Sequence, residues 1–223
     1  MSEAKKLIAN EAPETSVPKA VVARLSLYLR ELEHLLQLGH ETTNSSHLGG
    51  VLGFTDAQVR KDLAYFGQFG YPGIGYRTRE LISAIRAILG TDQAWRAALI
   101  GAGNLGRALM GYKGFQRRGF TIEAVFDNDR AKVGTKIEGL SVLHLDDLPQ
   151  VVHEKQIRLG LLAIPATVAQ PVADLLVSSG IQGILNFAPV TVSTPESVNL
   201  VSVDLAIEME QLSFAVVNRL RSN

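Results

Sequence analysis

The sequence predicts an α/β protein of two parts, a small helical domain with a hairpin followed by an open parallel sheet, and three observations lead there. Gly101-Ala102-Gly103-Asn104-Leu105-Gly106 has the G-x-G-x-x-G spacing and stands between an apolar strand-like run, Ala97-Ala98-Leu99-Ile100, and the helical spacing of Leu105, Ala108 and Leu109. Beyond it strand-like and helix-like runs alternate, the pattern of a parallel sheet. Ahead of it two short helices flank a glycine and are followed by a Pro-Gly hairpin.

Composition narrows the chemistry. The 223 residues suffice for two cores, and 22 basic residues balance 22 acidic ones. Any surface for nucleic acid is therefore local. There is no cysteine, which excludes disulfides and thiolate chemistry and fits a cytoplasmic protein. Residues 1–16 are expected to be a flexible tail without the apolar core of a signal peptide, and no run is long enough to span a membrane.

The first domain is expected over residues 17–90. Val21, Leu25, Tyr28, Leu32 and Leu35 form one face of a helix, with Pro18 suited to its first turn. Arg24 and Arg30 lie off that stripe, where a solvated position is the expectation. Thr42-Thr43-Asn44-Ser45-Ser46 is rich in capping side chains and opens a short second helix with Leu48, Val51 and Leu52, ended by Gly53. Thr55 opens a third, with Gln58 placed for a capping box. On that third helix Val59, Leu63 and Phe66 share the inner face. Lys61 points opposite, Ala57, Gln58, Ala64 and Tyr65 face outward, and Arg60 lies on the flank.

Such a pair of helices fits a helix-turn-helix, in which amide and guanidinium groups reach base edges while lysine and tyrosine reach phosphates. An ordinary helical hairpin with a polar face is the alternative. Phe69 to Tyr76, with Pro72-Gly73 at a turn, reads as a wing beside it. Leu81, Ile82, Ile85, Ile88 and Leu89 then form a linking helix up to Gly90.

Residues 91–203 are expected to form a Rossmann dinucleotide-binding domain. Gly101 serves the tight turn, Gly103 the close approach of a pyrophosphate, and Gly106 the packing of helix on strand. Ile122 to Phe126 reads as the second strand, and Asp127 closes it about 20 residues beyond the last glycine, where a carboxylate takes the ribose 2′-hydroxyl of NAD. A strand-end turn at Asp127-Asn128-Asp129 is the bland alternative. Further strands are expected at Ser141–Leu143, Leu159–Ile164, Gly183–Phe187 and Asn199–Val203, with helices at Asp146–Val152 and Thr167–Ser178. Ile164-Pro165 and Phe187-Ala188-Pro189 are apolar loops at strand ends, suited to an uncharged nicotinamide ring.

The chemistry of turnover is missing from this pattern. None of the five histidines stands at a strand end except His144, which reads as a loop or helix-entry residue. Tyr112-Lys113 lacks the separation of a catalytic pair, and no metal-ligand spacing occurs. No catalytic or metal residue is expected, although an NAD-dependent oxidoreductase with an accessory helical domain, or a nucleotide-binding scaffold, stays open. The last helix, within residues 204–223, is apolar on two sides, with Leu205, Met209, Leu212 and Val216 on one stripe and Ile207, Phe214 and Val217 beside it. A dimer interface or exchanged arm would grip it so.

Taken together, Gln58-Val59-Arg60-Lys61-Asp62-Leu63-Ala64-Tyr65-Phe66-Gly67, Gly73-Ile74-Gly75-Tyr76, Gly101 to Gly106, Phe126-Asp127, Asn186-Phe187-Ala188-Pro189 and Leu212-Ser213-Phe214-Ala215 resemble the family of redox-sensing transcriptional repressors Rex. The resemblance runs from Pro18 to about Leu220. It implies a winged helix that binds inverted-repeat operator DNA, a Rossmann domain that takes NADH or NAD+, and a C-terminal helix swapped within a homodimer. Matching positions put Arg60 and Lys61 at the DNA, Asp127 at the adenosine ribose, and Arg30, Tyr112 and the partner's Asp204 in a switch network. With the residue patterns above, the expected DNA contacts are Ser45, Ser46, Gln58, Arg60, Lys61 and Tyr65, and the expected cofactor contacts Gly101, Ala102, Gly103, Asn104, Leu105, Gly106, Asp127, Ile164, Pro165, Phe187, Ala188 and Pro189. Tyr71-Pro72 stands in the wing where the family often has a basic residue.

Overall fold

A computed structural model describes residues 17–221; the expected tail, residues 1–16, lies outside them. Two compact units follow one another, the first ending at Gln93 and the second beginning at Ala94. In the first, the apolar stripe of α1 (Lys19–Gln37) buries Val21, Leu25, Tyr28, Leu32 and Leu35, as its spacing requires. After it come β1 (Thr42–Thr43), α2 (Ser45–Leu52), α3 (Asp56–Ala64), β2 (Gly70–Tyr71), β3 (Gly75–Arg77) and α4 (Thr78–Ile88). Leu48, Val59, Leu63, Leu81, Ile82 and Ile85 close one core against α1.

Local chemistry sets the turns of this unit. Asn44 caps α2 by accepting the His47 N–H at 2.8 Å, and Gly53, at φ +75°, ends it in the left-handed conformation that glycine adopts without a Cβ penalty. Thr55 caps α3 by accepting the Gln58 N–H at 3.1 Å. The expected return bond of a capping box is replaced: the Gln58 amide donates to Asp62 instead. Of the apolar residues of α2, which is short, Leu48 alone reaches the core fully and Val51 is exposed. Two further differences stand out. Tyr65 is half-buried rather than outward, since it caps α3 at its C-terminus and turns toward Phe66. Thr42 and Thr43, expected only as capping residues, form a strand: β1 pairs antiparallel with β3, and β3 with β2, making a three-stranded wing sheet.

The second unit contains β4 (Trp95–Ile100), α5 (Asn104–Met110), α6 (Lys113–Arg117), β5 (Phe120–Asp127), β6 (Lys136–Ile137), β7 (Leu140–His144), α7 (Leu148–Glu154), β8 (Leu159–Leu162), α8 (Ala166–Ser178), β9 (Gly183–Asn186), β10 (Asn199–Ser202) and α9 (Leu205–Arg221). Its seven-stranded sheet has the order β10-β9-β8-β4-β5-β7-β6. Every pairing is parallel except β6 with β7. The chain builds outward one way from β4, then returns to β8 and builds the other way, which is the Rossmann order with its switch point between β4 and β8. The crevice outside the carboxyl ends of those two strands is where such folds take their ligands.

Alternation along the strands feeds two faces. Ala98, Ile100, Ala124 and Phe126 enter one cluster with Leu148, Val152, Ala169 and Leu176 of α7 and α8. Their neighbours Ala97, Leu99 and Val125 enter the other, against Leu109, Met110 and Phe115 of α5 and α6. The six expected strands are present, each within one residue of its sequence bounds except that β4 and β5 begin two residues earlier and β8 stops two residues sooner, at Leu162. Unexpected were α6 and the short edge strand β6, while β9 crosses to β10 by a loop without a helix.

Two adjacent glycines in α2 should respond oppositely to alanine. A Cβ on Gly49 would lie 2.6 Å from the Phe54 carbonyl oxygen, whereas one on Gly50 meets nothing within 4 Å. Gly49→Ala is expected to lower stability by about 1–3 kcal/mol through overpacking, and Gly50→Ala to raise it by about 0.4–1 kcal/mol. Urea unfolding of both variants checks the sign; a stabilised Gly49→Ala would show that the turn after α2 can open.

Candidate functional site

The glycine turn between β4 and α5 has three residues with three different requirements. Gly101 has φ +104°, and a Cβ there would collide with the Ala163 carbonyl, so both backbone conformation and close strand approach demand glycine. A Cβ on Gly106 would run into the Gly101 carbonyl, which is how closely α5 passes the strand end. Gly103 is different: a Cβ there meets nothing within 4 Å. The space over it is open to solvent, and the first N–H groups of α5 lie beside it, so a pyrophosphate fits where a side chain would intrude. Ala102 is buried beneath the turn, while Asn104 and Leu105 are exposed on it.

Asp127 ends β5 beside that turn. Its Oδ2 accepts the Ala102 N–H at 2.8 Å and the Lys132 ammonium at 3.0 Å, and its Oδ1 accepts the Asp129 N–H at 2.9 Å. Burial works to raise its pKa, but the Asp129 and Ala102 N–H groups and the Lys132 ammonium outweigh it and hold the carboxyl below the usual range. The group is thus a fixed, ionised acceptor. Lys132 was not singled out from the sequence; its spacing of five residues from Asp127, with Asp129 turning the loop between, is the signal.

Across the switch point stand the two apolar loops. Ile164 is half-buried and Pro165 exposed ahead of α8, and Phe187, Ala188 and Pro189 follow β9. Asn186, fully buried, holds that second loop from beneath. Its Oδ1 accepts the Ala188 N–H at 2.9 Å, and its Nδ2 donates to the Val190 carbonyl at 2.9 Å and the Ala188 carbonyl at 3.3 Å. An amide can both donate and accept on one face, which is why Asn rather than Asp or Leu satisfies this turn. His144, paired in register with Asp127, accepts the Asp146 N–H at 3.3 Å and caps the short turn that follows β7. Among the described residues no group of three or more His, Asp or Glu side chains gathers into a metal-binding cluster.

In the first unit α2, the turn at Gly53 and α3 form the expected helix-turn-helix, and its exposed face carries Ser46, Arg60 and Lys61. Ser45 is buried and accepts from Arg60 Nη1 at 3.1 Å, and the same Nη1 reaches Asp56 at 2.7 Å. The other guanidinium N–H groups of Arg60 stay available for an acceptor. Gln58 is half-buried, its amide engaged 2.7 Å from Asp62 Oδ1. The wing carries its own cluster: Arg77 lies over the Tyr71 ring at 4.6 Å, and Glu80 accepts from both Tyr71 and Arg77 at 2.9 Å.

Asp62 is the residue that sequence reasoning passed over in this unit. It is completely buried and is met by Arg24 Nε, by Arg24 Nη2 at 2.7 Å, by the Tyr28 hydroxyl at 2.8 Å and by Gln58. Arg24 is therefore an ion-pair partner, not the solvated side chain its position off the stripe suggested. Burial works to raise the Asp62 pKa, but Arg24, Tyr28 and Gln58 outweigh it and depress it. Burial, with Asp62 next, pushes the Tyr28 phenol far above its ordinary value. The signals were present: Asp62 falls on the buried stripe of Val59 and Leu63, and Arg24 and Tyr28 are four apart on one helix.

Of the expected switch residues, Arg30 lies in the first unit and Tyr112 and Asp204 in the second. Arg30 is exposed on α1. Tyr112 is 59% exposed at the start of α6, edge-on to Phe115 at 5.1 Å, and Asp204 caps α9 by accepting the Ala206 N–H at 2.9 Å. All of α9 is exposed, its apolar side chains included.

Comparison with known proteins follows the same division. Residues 16–64 match a family model described as a putative DNA-binding protein N-terminus, and residues 92–190 one described as a CoA binding domain. A redox-sensing transcriptional repressor Rex of Carboxydothermus hydrogenoformans is 48% identical over 90% of this chain and 96% of its own length. One of Rhodopirellula baltica is 46% identical over 92% of this chain and 86% of its own. A crystal structure of RSP with beta-NAD+ and operator DNA superposes with a TM-score of 0.87 at 35% identity, covering 94% of this chain and 99% of that one. RSP with beta-NADH gives 0.83 at 34% identity, over 92% and 97%. The named relatives are transcriptional repressors.

Removing the Asp62 charge should loosen α3 from α1. Asp62→Asn is expected to cost about 3 kcal/mol, the low end for breaking a buried ion pair, because the Arg24 side chain is 21% exposed and reaches water. Asp62 has a depressed folded pKa, so its contribution is full above the unfolded value of about 3.9 and is lost as pH falls through the lower folded one. The gap in unfolding free energy between the two proteins should shrink below about pH 4. A gap that stays constant from pH 7 to pH 3 would assign the cost to packing alone.

Proposed function

The chain belongs to the family of redox-sensing transcriptional repressors Rex, and from that premise we propose that it is an NADH-responsive repressor, which holds inverted-repeat operator DNA and releases it when NADH binds. The observation that carries the reading is the joining, in one chain, of a winged helix-turn-helix with Arg60 and Lys61 exposed and a glycine turn whose partner carboxylate, Asp127, is fixed and ionised. Residues 17–90 are the DNA-binding domain, 91–203 the NADH/NAD+ domain and 204–223 a helix exchanged with a second copy in a cytoplasmic homodimer. No described helix is long and apolar enough to cross a membrane.

At the DNA, Lys61 and the free N–H groups of Arg60 act on the operator, with Ser45, Ser46, Tyr65 and Gln58 beside them; Gln58 reaches a base only by leaving Asp62. A dimer would place two α3 helices in successive major grooves. At the cofactor, Gly101 to Gly106 hold the pyrophosphate, Asp127 the adenosine ribose, and Ile164, Pro165, Phe187, Ala188 and Pro189 the nicotinamide. Those loops are apolar, so the positively charged ring of NAD+ loses hydration there without a counter-charge, and the neutral ring of NADH does not. Arg30, Tyr112 and the partner's Asp204 would read which form is bound. Near-complete switching needs about 5.5 kcal/mol of differential NADH affinity between the two states.

Operator binding titrated separately with NADH and NAD+ tests the reading. NADH is expected to release DNA at far lower concentration, and an equal response to both would refute redox sensing. For the exchanged helix, Leu212→Glu combined with Phe214→Glu is expected to shift the sedimenting species from dimer to monomer; an unchanged dimer would place the interface elsewhere.

A further inference from the structure

We infer that Glu80 is an intramolecular competitor of DNA, a carboxylate that holds Arg77 of the wing in the free protein and gives it up to a backbone phosphate; the inference rests on the repressor reading above. The tip of the hairpin supplies no charge of its own. Tyr71-Pro72 stands there, and between Lys61 and Arg77 the chain has no lysine or arginine. Any positive charge that the wing brings to a polyanion therefore comes from the end of β3.

The pleat of that strand decides where Arg77 goes. Tyr76 is buried and Arg77 beside it is exposed, on the opposite face. Tyr71 pairs in register with Gly75, which makes it the diagonal neighbour of Arg77 on that same outward face. The Arg77 guanidinium lies over the Tyr71 ring, 4.6 Å from its centroid. Glu80, in the first turn of α4, closes the cluster: its Oε1 accepts from Arg77 Nη1 at 2.9 Å and its Oε2 from the Tyr71 hydroxyl at 2.9 Å. Both carboxylate oxygens are engaged, while the guanidinium keeps N–H groups that Glu80 does not take. The Arg77 side chain is 52% exposed, so those groups are open to an incoming anion.

The strand carrying this cluster runs against the helix-turn-helix. A Cβ on Gly75 would collide with the Thr43 carbonyl and lie 3.3 Å from Cβ of Asn44, the cap of α2. Burial pushes the Tyr76 phenol up and the Arg60 charge opposes it, which puts Arg60 of α3 within electrostatic reach of β3. Arg77 thus adds a second cation to the neighbourhood of Arg60. An exposed ion pair such as Arg77–Glu80 is held weakly, and a phosphate offers the planar guanidinium the same two-oxygen geometry that a carboxylate does. Stacking on Tyr71 does not depend on Glu80, so the guanidinium keeps its plane through the exchange. The Tyr71 hydroxyl, released at the same moment, becomes a second phosphate donor.

The test uses the full-length chain and an inverted-repeat duplex that it selects from a random pool. Affinity is followed by fluorescence anisotropy across a salt series in the unsubstituted protein, Arg77→Gln, Arg77→Lys, Glu80→Gln and the Arg77→Gln/Glu80→Gln double variant, with melting curves for each. Arg77→Gln is expected to weaken binding about tenfold and to make the slope of log affinity against log salt shallower by about 0.9. Arg77→Lys, which keeps the charge, is expected to keep the slope. Glu80→Gln is expected to tighten binding about threefold, and to give no gain when Arg77→Gln is present. A carboxylate that only repels DNA through its charge would give the same gain with or without Arg77. Arg77→Met replaces Arg77→Gln should the latter not melt cooperatively. The inference is overturned if the slope is unchanged on loss of Arg77, if Glu80→Gln brings no gain, or if its gain survives in the double variant. A chain that selects no duplex would overturn the repressor reading itself.

Discussion

The orientation of the exposed helix in the first unit depends on one shielded carboxylate. Asp62 lies on the inward side of α3 with no solvent access, and an ion so placed is tolerated only when its lone pairs are met. The donors come from two helices, Arg24 and Tyr28 of α1 and Gln58 one turn earlier on α3. A hydrophobic contact would permit α3 to slide or roll by small amounts. A guanidinium, a phenol and an amide converging on two oxygens fix rotation and translation together. Since Arg60 and Lys61 immediately precede Asp62 on the same helix, the direction in which they project is set by its partners.

A similar logic operates in the second unit, where buried polar groups organise loops that apolar packing leaves free. Asn186 ends β9 and Asp127 ends β5, on either side of β8 and β4, and each takes an N–H group from a segment that leaves the sheet. Gly101 and Gly106 allow strand and helix to approach until backbone meets backbone. Hydrophobic residues decide that a sheet forms, and these few polar and glycine positions decide the shape of its carboxyl edge.

Most of the architecture was legible in the sequence because it rests on periodicity. The α1 stripe, the six parallel strands and the glycine turn each follow from spacing that a folded chain cannot avoid. Short elements were not legible. Thr42-Thr43 carries no strand pattern of its own and becomes one only because β3 lies alongside, and Lys136-Ile137 likewise borrows its order from β7. At the sites, residue types at strand ends and on α3 could be read, but their pairing could not. That Gln58 turns inward, that Arg24 meets Asp62 and that Lys132 returns to Asp127 are long-range or loop-dependent facts. They are decided by which donors find a buried acceptor, and no local spacing encodes that by itself.

The Asn186 amide has one further consequence. Because three hydrogen bonds anchor Phe187 to Val190 from below, this wall of the crevice is assembled when the chain folds and does not wait for an occupant. A preformed wall spares an arriving ring the entropy of ordering a loop. Under the proposed function it would also work as a rigid gauge: a ring whose charge or width is wrong could not be accommodated by yielding of this loop.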